Sequence, residues 1–145
     1  MKYTAGSIGR VLVAKVEHGD DLLLKIKRLT QKERIRSGLL IVLGAVKQAS
    51  LVVGPKECVV PPEPVWREFG DGREIMAVGT IFSEENGPEL HLHAAFGRGD
   101  SVLVGCVRED AQVYLVAEVI ILEMVGMDAA RLLDPAVGLK MLTIT

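Results

Sequence analysis

The sequence predicts an α+β domain: a mainly antiparallel β-sheet with one packed helix, drawn out as a helical hairpin, after the first strand. Three observations lead there. A β-branched run from Ile8 to Val16 is followed at once by the chain's best stretch of helically spaced apolar residues. Beyond Gly38 the apolar pattern changes to the two-residue period of strands. Short turn clusters, Glu85-Asn86-Gly87-Pro88 and Gly97-Arg98-Gly99-Asp100, divide that region. Strands joined by such short turns run antiparallel, whereas a parallel doubly wound sheet needs a long crossover between strands.

The elements follow in order. The first strand ends at His18-Gly19-Asp20, where Asp20 suits a helix N-cap. Leu22, Leu23, Ile26 and Leu29 then share one helical face, leaving Lys25, Lys27 and Arg28 to water. Thr30 with Glu33 three residues on has the spacing of a capping box, which predicts a second short helical piece ending near Ser37-Gly38. Strands are expected at Leu39–Val46, Ala49–Val53, Glu74–Phe82, Glu89–Phe96, Ser101–Val107 and Gln112–Met124. Between Gly54 and Gly72 lie four of the six prolines and the only tryptophan, Trp66. That length exceeds an ordinary connection and predicts a covering loop, an oligomer contact or a surface excursion.

A chain of 145 residues, 49% hydrophobic, 25% charged and 4% aromatic, is of one-domain size and too apolar to be disordered. One domain over residues 1–145 is expected. With 17 basic and 19 acidic residues the net charge is −2, so the surface as a whole does not attract nucleic acid or anionic lipid. The most apolar stretch, Val113 to Met127, is interrupted by Glu118 and Glu123, and no membrane partner is expected. With no secretory leader pattern and only Cys58 and Cys106, no disulfide framework is expected, and a cytoplasmic location is.

His91-Leu92-His93 lies within a strand, where residues two apart share a face. Folding the chain about Arg98-Gly99 sets His91 opposite Cys106 and His93 opposite Val104, so two imidazoles and a thiol converge. A slip of one residue would turn Cys106 away. Two nitrogens and a sulfur suit Zn²⁺, and three protein ligands leave a coordination position open to water, an anion or a small ligand. His91, His93 and Cys106 are therefore the candidate zinc ligands; a hydrogen-bonded histidine pair beside an inert thiol is the simpler alternative. A zinc-dependent enzyme using metal-bound water is a further alternative, although no His-Glu-x-x-His or Cys-x-x-Cys is present.

Glu118, among Val116, Val119 and Ile120, needs a partner if buried. It is expected either to accept the free N–H of a metal-binding histidine or to form a salt bridge at an edge or subunit contact. Lys25 to Arg36 holds six basic residues and one acidic, a net of +5 that leaves −7 elsewhere. Lys25, Arg28 and Lys32 are candidate nucleic-acid contacts there, against the plainer reading of a solvated helix face.

The order of motifs resembles the plants and prokaryotes conserved (PPC) domain over roughly Gly9 to Leu142. The likeness is carried by His18-Gly19-Asp20-Asp21-Leu22, by Ile35-Arg36-Ser37-Gly38 with Leu43-Gly44-Ala45-Val46, and by Gly72-Arg73-Glu74-Ile75-Met76. Pro88-Glu89-Leu90-His91-Leu92-His93 is its most specific piece, and Ala117-Glu118-Val119-Ile120-Ile121 fits the later strand. The resemblance implies an antiparallel sheet with a packed helix, a homotrimer, and a histidine site that holds a metal in some prokaryotic members. Where the family usually has Gly-Gly-His, this chain has Val104-Gly105-Cys106, so cysteine replaces the third histidine. The plant members' basic DNA-binding arm has no counterpart here.

Overall fold

The computed structural model describes residues 1–144. Thr145, the last residue of the expected domain, lies outside the described residues. The elements are β1 (Ser7–Glu17), α1 (Leu22–Lys32), β2 (Ser37–Pro55), β3 (Pro64–Phe69), β4 (Arg73–Glu84), β5 (Gly87–Arg98), β6 (Ser101–Val125), β7 (Ala129–Asp134) and β8 (Leu139–Ile144). Six strands form one antiparallel sheet in the order β1-β6-β5-β4-β2-β3, and β7 and β8 form a separate hairpin. In addition β6 pairs with β2, so β2, β4, β5 and β6 close on one another. The alternation read from the sequence thus has a physical end: one face turns into the closed interior and the other faces out.

The interior is filled by Leu40 and Val42 of β2, Ile81 of β4, Leu92 and Phe96 of β5, and Val119 and Ile121 of β6. Each such side chain fully removed from water contributes about 1.5–3 kcal/mol. The helix α1 packs on β5 and β6 with Leu22, Ile26 and Thr30 buried.

The helical hairpin is not formed. The N-cap is Asp21, one residue later than expected, whose carboxylate accepts from the Leu24 N–H at 2.7 Å. Thr30 is not a cap but a buried residue of the same helix, and its hydroxyl donates to the Lys27 carbonyl at 2.9 Å. The Glu33 carboxylate is drawn instead to Arg10 of β1 at 3.0 Å. Arg34, at φ +56°, then ends the helix, and β2 begins at Ser37.

The strand boundaries also differ. Leu39–Val46 and Ala49–Val53 belong to one strand of 19 residues, and Ser101–Val107 and Gln112–Met124 to one of 25. Register shifts and positive φ at Gly44, Asp110 and Leu115 bend these long strands without ending them. The proline-rich segment contains β3, which pairs only with β2 at the sheet edge, where a missing N–H is tolerated.

Candidate metal centre

Two strands and their turn position the donors. On β5, His91 and His93 lie two residues apart, with their Nε2 atoms 3.1 Å apart and their rings nearly perpendicular at 85°. The β5–β6 turn lies one residue later than the count from Arg98-Gly99 assumes: Arg98 pairs with Ser101, and Gly99 and Asp100 are the two residues between. Gly99, at φ +56°, supplies the positive φ that a two-residue hairpin of the II′ kind needs at its first central position. The register is therefore offset by two from the expected one. His93, not His91, stands opposite Cys106, and Val104 faces Ala95. An offset of two keeps every side chain on its face, so the sulfur still meets the rings.

One ligand atom from each of His91, His93 and Cys106 lies within 4.8 Å of the other two. A tetrahedral zinc at its usual bond lengths separates its donors by about 3.3–3.6 Å, so small side-chain rotations bring this set to coordination geometry. Borderline nitrogen and soft sulfur are the donor types zinc accepts, and the residues fit the ion. Burial first, then the charges of Arg131, His93 and Arg108, lowers the His91 pKa to about 4, which leaves its ring neutral at physiological pH. Burial pushes the Cys106 thiol up, against the opposing pull of Arg108 and Arg131. A metal ion would displace that proton on binding.

The donors open into a cleft of about 470 Å³. Cys106 is 6% exposed, whereas His93 is exposed. Pro55, Pro62, Pro64 and Trp66 wall the cleft, so the proline-rich segment borders this site. Arg108 lines it as well. Sequence reasoning passed over Arg108, although it lies only two residues past Cys106 on the same strand. It also passed over Arg131, for which no local signal exists.

The other expected site residues lie apart from this cluster. Glu118 is exposed, opposite Lys15 on β1 and Leu43 on β2, and makes no hydrogen bond or ion pair among the described residues. Its face of β6 points out of the closed sheet, so within one chain it is not buried. Lys25 pairs with Asp20 at 3.0 Å, while Arg28 and Lys32 are exposed without an ion pair among the described residues.

The outward face of the sheet is itself apolar. Val13, Ile120, Ile41, Val78 and His93 form one cross-strand row, and Leu43, Met76, Ala95 and Val104 form the next. Val13, Met76, Val78 and Val104 are each more than half exposed, at 77%, 66%, 56% and 61%. No described helix is long and apolar enough to cross a membrane.

Comparison with known proteins places this geometry in context. The pattern of the Plants and Prokaryotes Conserved (PCC) domain family matches residues 3–125. No curated protein matches the chain. Among solved structures, a metal-containing protein of Archaeoglobus fulgidus superposes with a TM-score of 0.87 at 23% identity, covering 99% of both chains. A plant- and prokaryote-conserved protein of Pyrococcus horikoshii gives 0.86 at 24% identity, covering 100% of this chain and 99% of its own. A candidate DNA-binding protein of Bacteroides thetaiotaomicron gives 0.81 at 23% identity, covering 98% and 97%. At these identities the superpositions establish a shared fold.

Proposed function

For this chain, which belongs to the Plants and Prokaryotes Conserved (PCC) domain family, we propose the role of a homotrimeric binding protein whose His91, His93 and Cys106 hold one zinc ion and leave a coordination position for a small ligand. The observation that carries the reading is the meeting of three ligand atoms within 4.8 Å on the lining of a cleft. Three protein ligands are the pattern of an open zinc site, whereas structural sites are closed by four. The metal-containing neighbour from Archaeoglobus fulgidus adds support at the level of fold.

The trimer is what the family resemblance implies, and the outward apolar rows support it. An exposed face bearing Val13, Met76, Val78 and Val104 is the kind that monomers rarely leave open. His93 stands at the end of one of these rows, so an assembly on this face would border the metal site.

The test is metal analysis of the purified full chain. About one zinc per chain is expected, retained through gel filtration and lost in both His91→Ala and Cys106→Ser. Stoichiometric zinc in both variants removes the site as drawn.

A second reading, binding of nucleic acid through α1, is favoured by Arg28 and Lys32, which stand exposed and without ion pairs four residues apart on the helix. Candidate DNA-binding proteins also occur among the structural neighbours. Retention on random duplex DNA at physiological salt, lost when Lys25, Arg28 and Lys32 are replaced by Gln, would promote it. No retention would remove it.

A further inference from the structure

Two arginines lie near the His/His/Cys cleft: Arg108 lines it, and Arg131 is held on Thr80, opposite His91, outside its lining. Arg108 is the extra residue of a β-bulge: Ser50 pairs with Glu109 and Leu51 with Val107, so Arg108 stands outside the β2–β6 ladder. Bulges re-aim side chains beside sites, and here the bulged residue lines the cleft next to Cys106. Arg131 comes from β7. It is 9% exposed and donates from Nη2 to the Thr80 hydroxyl at 2.9 Å. Thr80 is the β4 residue opposite His91, so the guanidinium is anchored beside the histidine strand. The Arg131 Nε is the one buried side-chain nitrogen or oxygen left without a hydrogen-bond partner among the described residues.

Neither guanidinium has an ion-pair partner among the described residues. Glu89, whose charge Arg131 feels, is bound by Lys27 at 3.0 Å. A larger cleft of about 860 Å³ at the β5–β6 turn is different, because its Arg73 and Arg98 are both held by Asp71, at 2.9 and 3.3 Å. Of the two, Arg131 is the one taken out of water, and a buried cation is costly unless a nearby anion offsets its charge. The remaining wall is apolar, made by Val52, Pro55, Pro62, Pro64, Trp66 and Leu139.

We infer that this cleft takes a small organic carboxylate with an apolar body, the carboxylate bound by Arg108, the charge of Arg131 behind His91 adding to the attraction, and the body enclosed by Trp66 and the prolines. A planar carboxylate matches the guanidinium fork with parallel hydrogen bonds. A phosphate would bring further anionic oxygens to be desolvated against proline. The volume of about 470 Å³ lies in the range of small-molecule sites. The inference rests on the metal-binding reading of the same site, because an open position on zinc accepts a carboxylate oxygen as well.

The test is calorimetric titration of the zinc-loaded full chain with benzoate, benzamide and inorganic phosphate, with zinc content measured in each sample. Benzoate should saturate at one per chain, and benzamide and phosphate should bind at least about tenfold more weakly. Arg108→Gln and Arg131→Gln should each weaken benzoate at least about fivefold with zinc content unchanged. Trp66→Ala should weaken benzoate and leave acetate as it was. Arg108 is exposed, so its variant keeps the test open if Arg131→Gln fails to fold. Equal binding of benzoate and benzamide, tighter binding of phosphate, or undiminished benzoate affinity in the arginine variants overturns the inference. If the wild-type chain holds no zinc, the metal reading fails on that measurement alone, and the same titrations on the metal-free chain decide the arginine cleft.

Discussion

Cys106 stands directly across the β5–β6 ladder from His93, in the last pair those two strands share. On its other side Cys106 faces Val52 of β2, so the thiol sits where three strands meet. This junction explains why the sulfur is buried while its histidine partner remains exposed.

Removing the thiol should therefore remove the metal. Cys106→Ser is expected to lower zinc affinity by more than the roughly 10–100-fold that loss of an outer hydrogen-bonding partner costs, because a direct ligand is lost. Cys106→His restores a nitrogen ligand and should recover most of the affinity. Competition with a chromogenic chelator measures both, and equal affinity in the serine variant would count against the thiol as a ligand.

Gly105 sets the spacing at the same junction. A Cβ at this position would run into the Val52 carbonyl oxygen on β2, which is backbone and cannot swing away. Gly105→Ala is expected to cost about 1–3 kcal/mol by forcing β2 and β6 apart. Gly54→Ala meets no atom within 4 Å, and its cost is confined to backbone strain at φ +126°. Denaturant unfolding of the two variants compares a steric penalty with a conformational one. A stable Gly105→Ala protein with unchanged zinc affinity would contradict the close approach.

Acid should weaken the metal-free chain in a defined window. His91 has its pKa lowered from 6.5 to about 4, by burial first and then by Arg131, His93 and Arg108. Between those values the unfolded chain binds a proton that the folded chain refuses, so stability falls as pH drops from about 6.5 towards 4 and levels off below. Thermal melts of metal-free wild type and His91→Gln across this range should show the steeper slope in the wild type, the remainder in both coming from Glu123 and Asp71, whose pKa values are lowered by Arg10 and Arg73. Equal slopes in the two would assign the acid sensitivity elsewhere.

The outward apolar rows give a prediction about mass. Met76 is 66% exposed near the middle of that face, and Val78 follows two residues on at 56%. If the proposed trimer forms on this face, Met76→Glu is expected to bury a charge in that contact and to shift light-scattering mass from three chains to one. A wild-type mass of one chain would leave the face open and end the trimer proposal.

Much of the fold was legible because it depends on local periodicity. The β-branched run of β1, the helical spacing from Leu22 to Leu29 and the two-residue alternation after Gly38 each reflect which face of a short segment is apolar. The errors fell where a local signal lost to a tertiary partner. Thr30 and Glu33 have capping-box spacing, but Arg10 of the neighbouring strand engages the Glu33 carboxylate, and the Thr30 hydroxyl is buried within the helix. The prolines from 55 to 64 argue against a strand, yet an edge strand tolerates them and β3 begins at Pro64.

The sequence by itself determined that the two histidine side chains lie on one face, because alternation along a strand is a property of the backbone. It also determined the parity that puts Cys106 with them, since the count around Gly99 was wrong by two and faces repeat every two residues. Only the tertiary structure decided which histidine faces the thiol, how deeply the sulfur is buried and which charges surround it. Arg131 reaches Thr80, opposite His91, from a hairpin 51 residues further along the chain, and Arg108 stands outside the ladder because β6 bulges against β2. Those placements follow from strand closure and long-range packing, energies that no window of neighbouring residues contains.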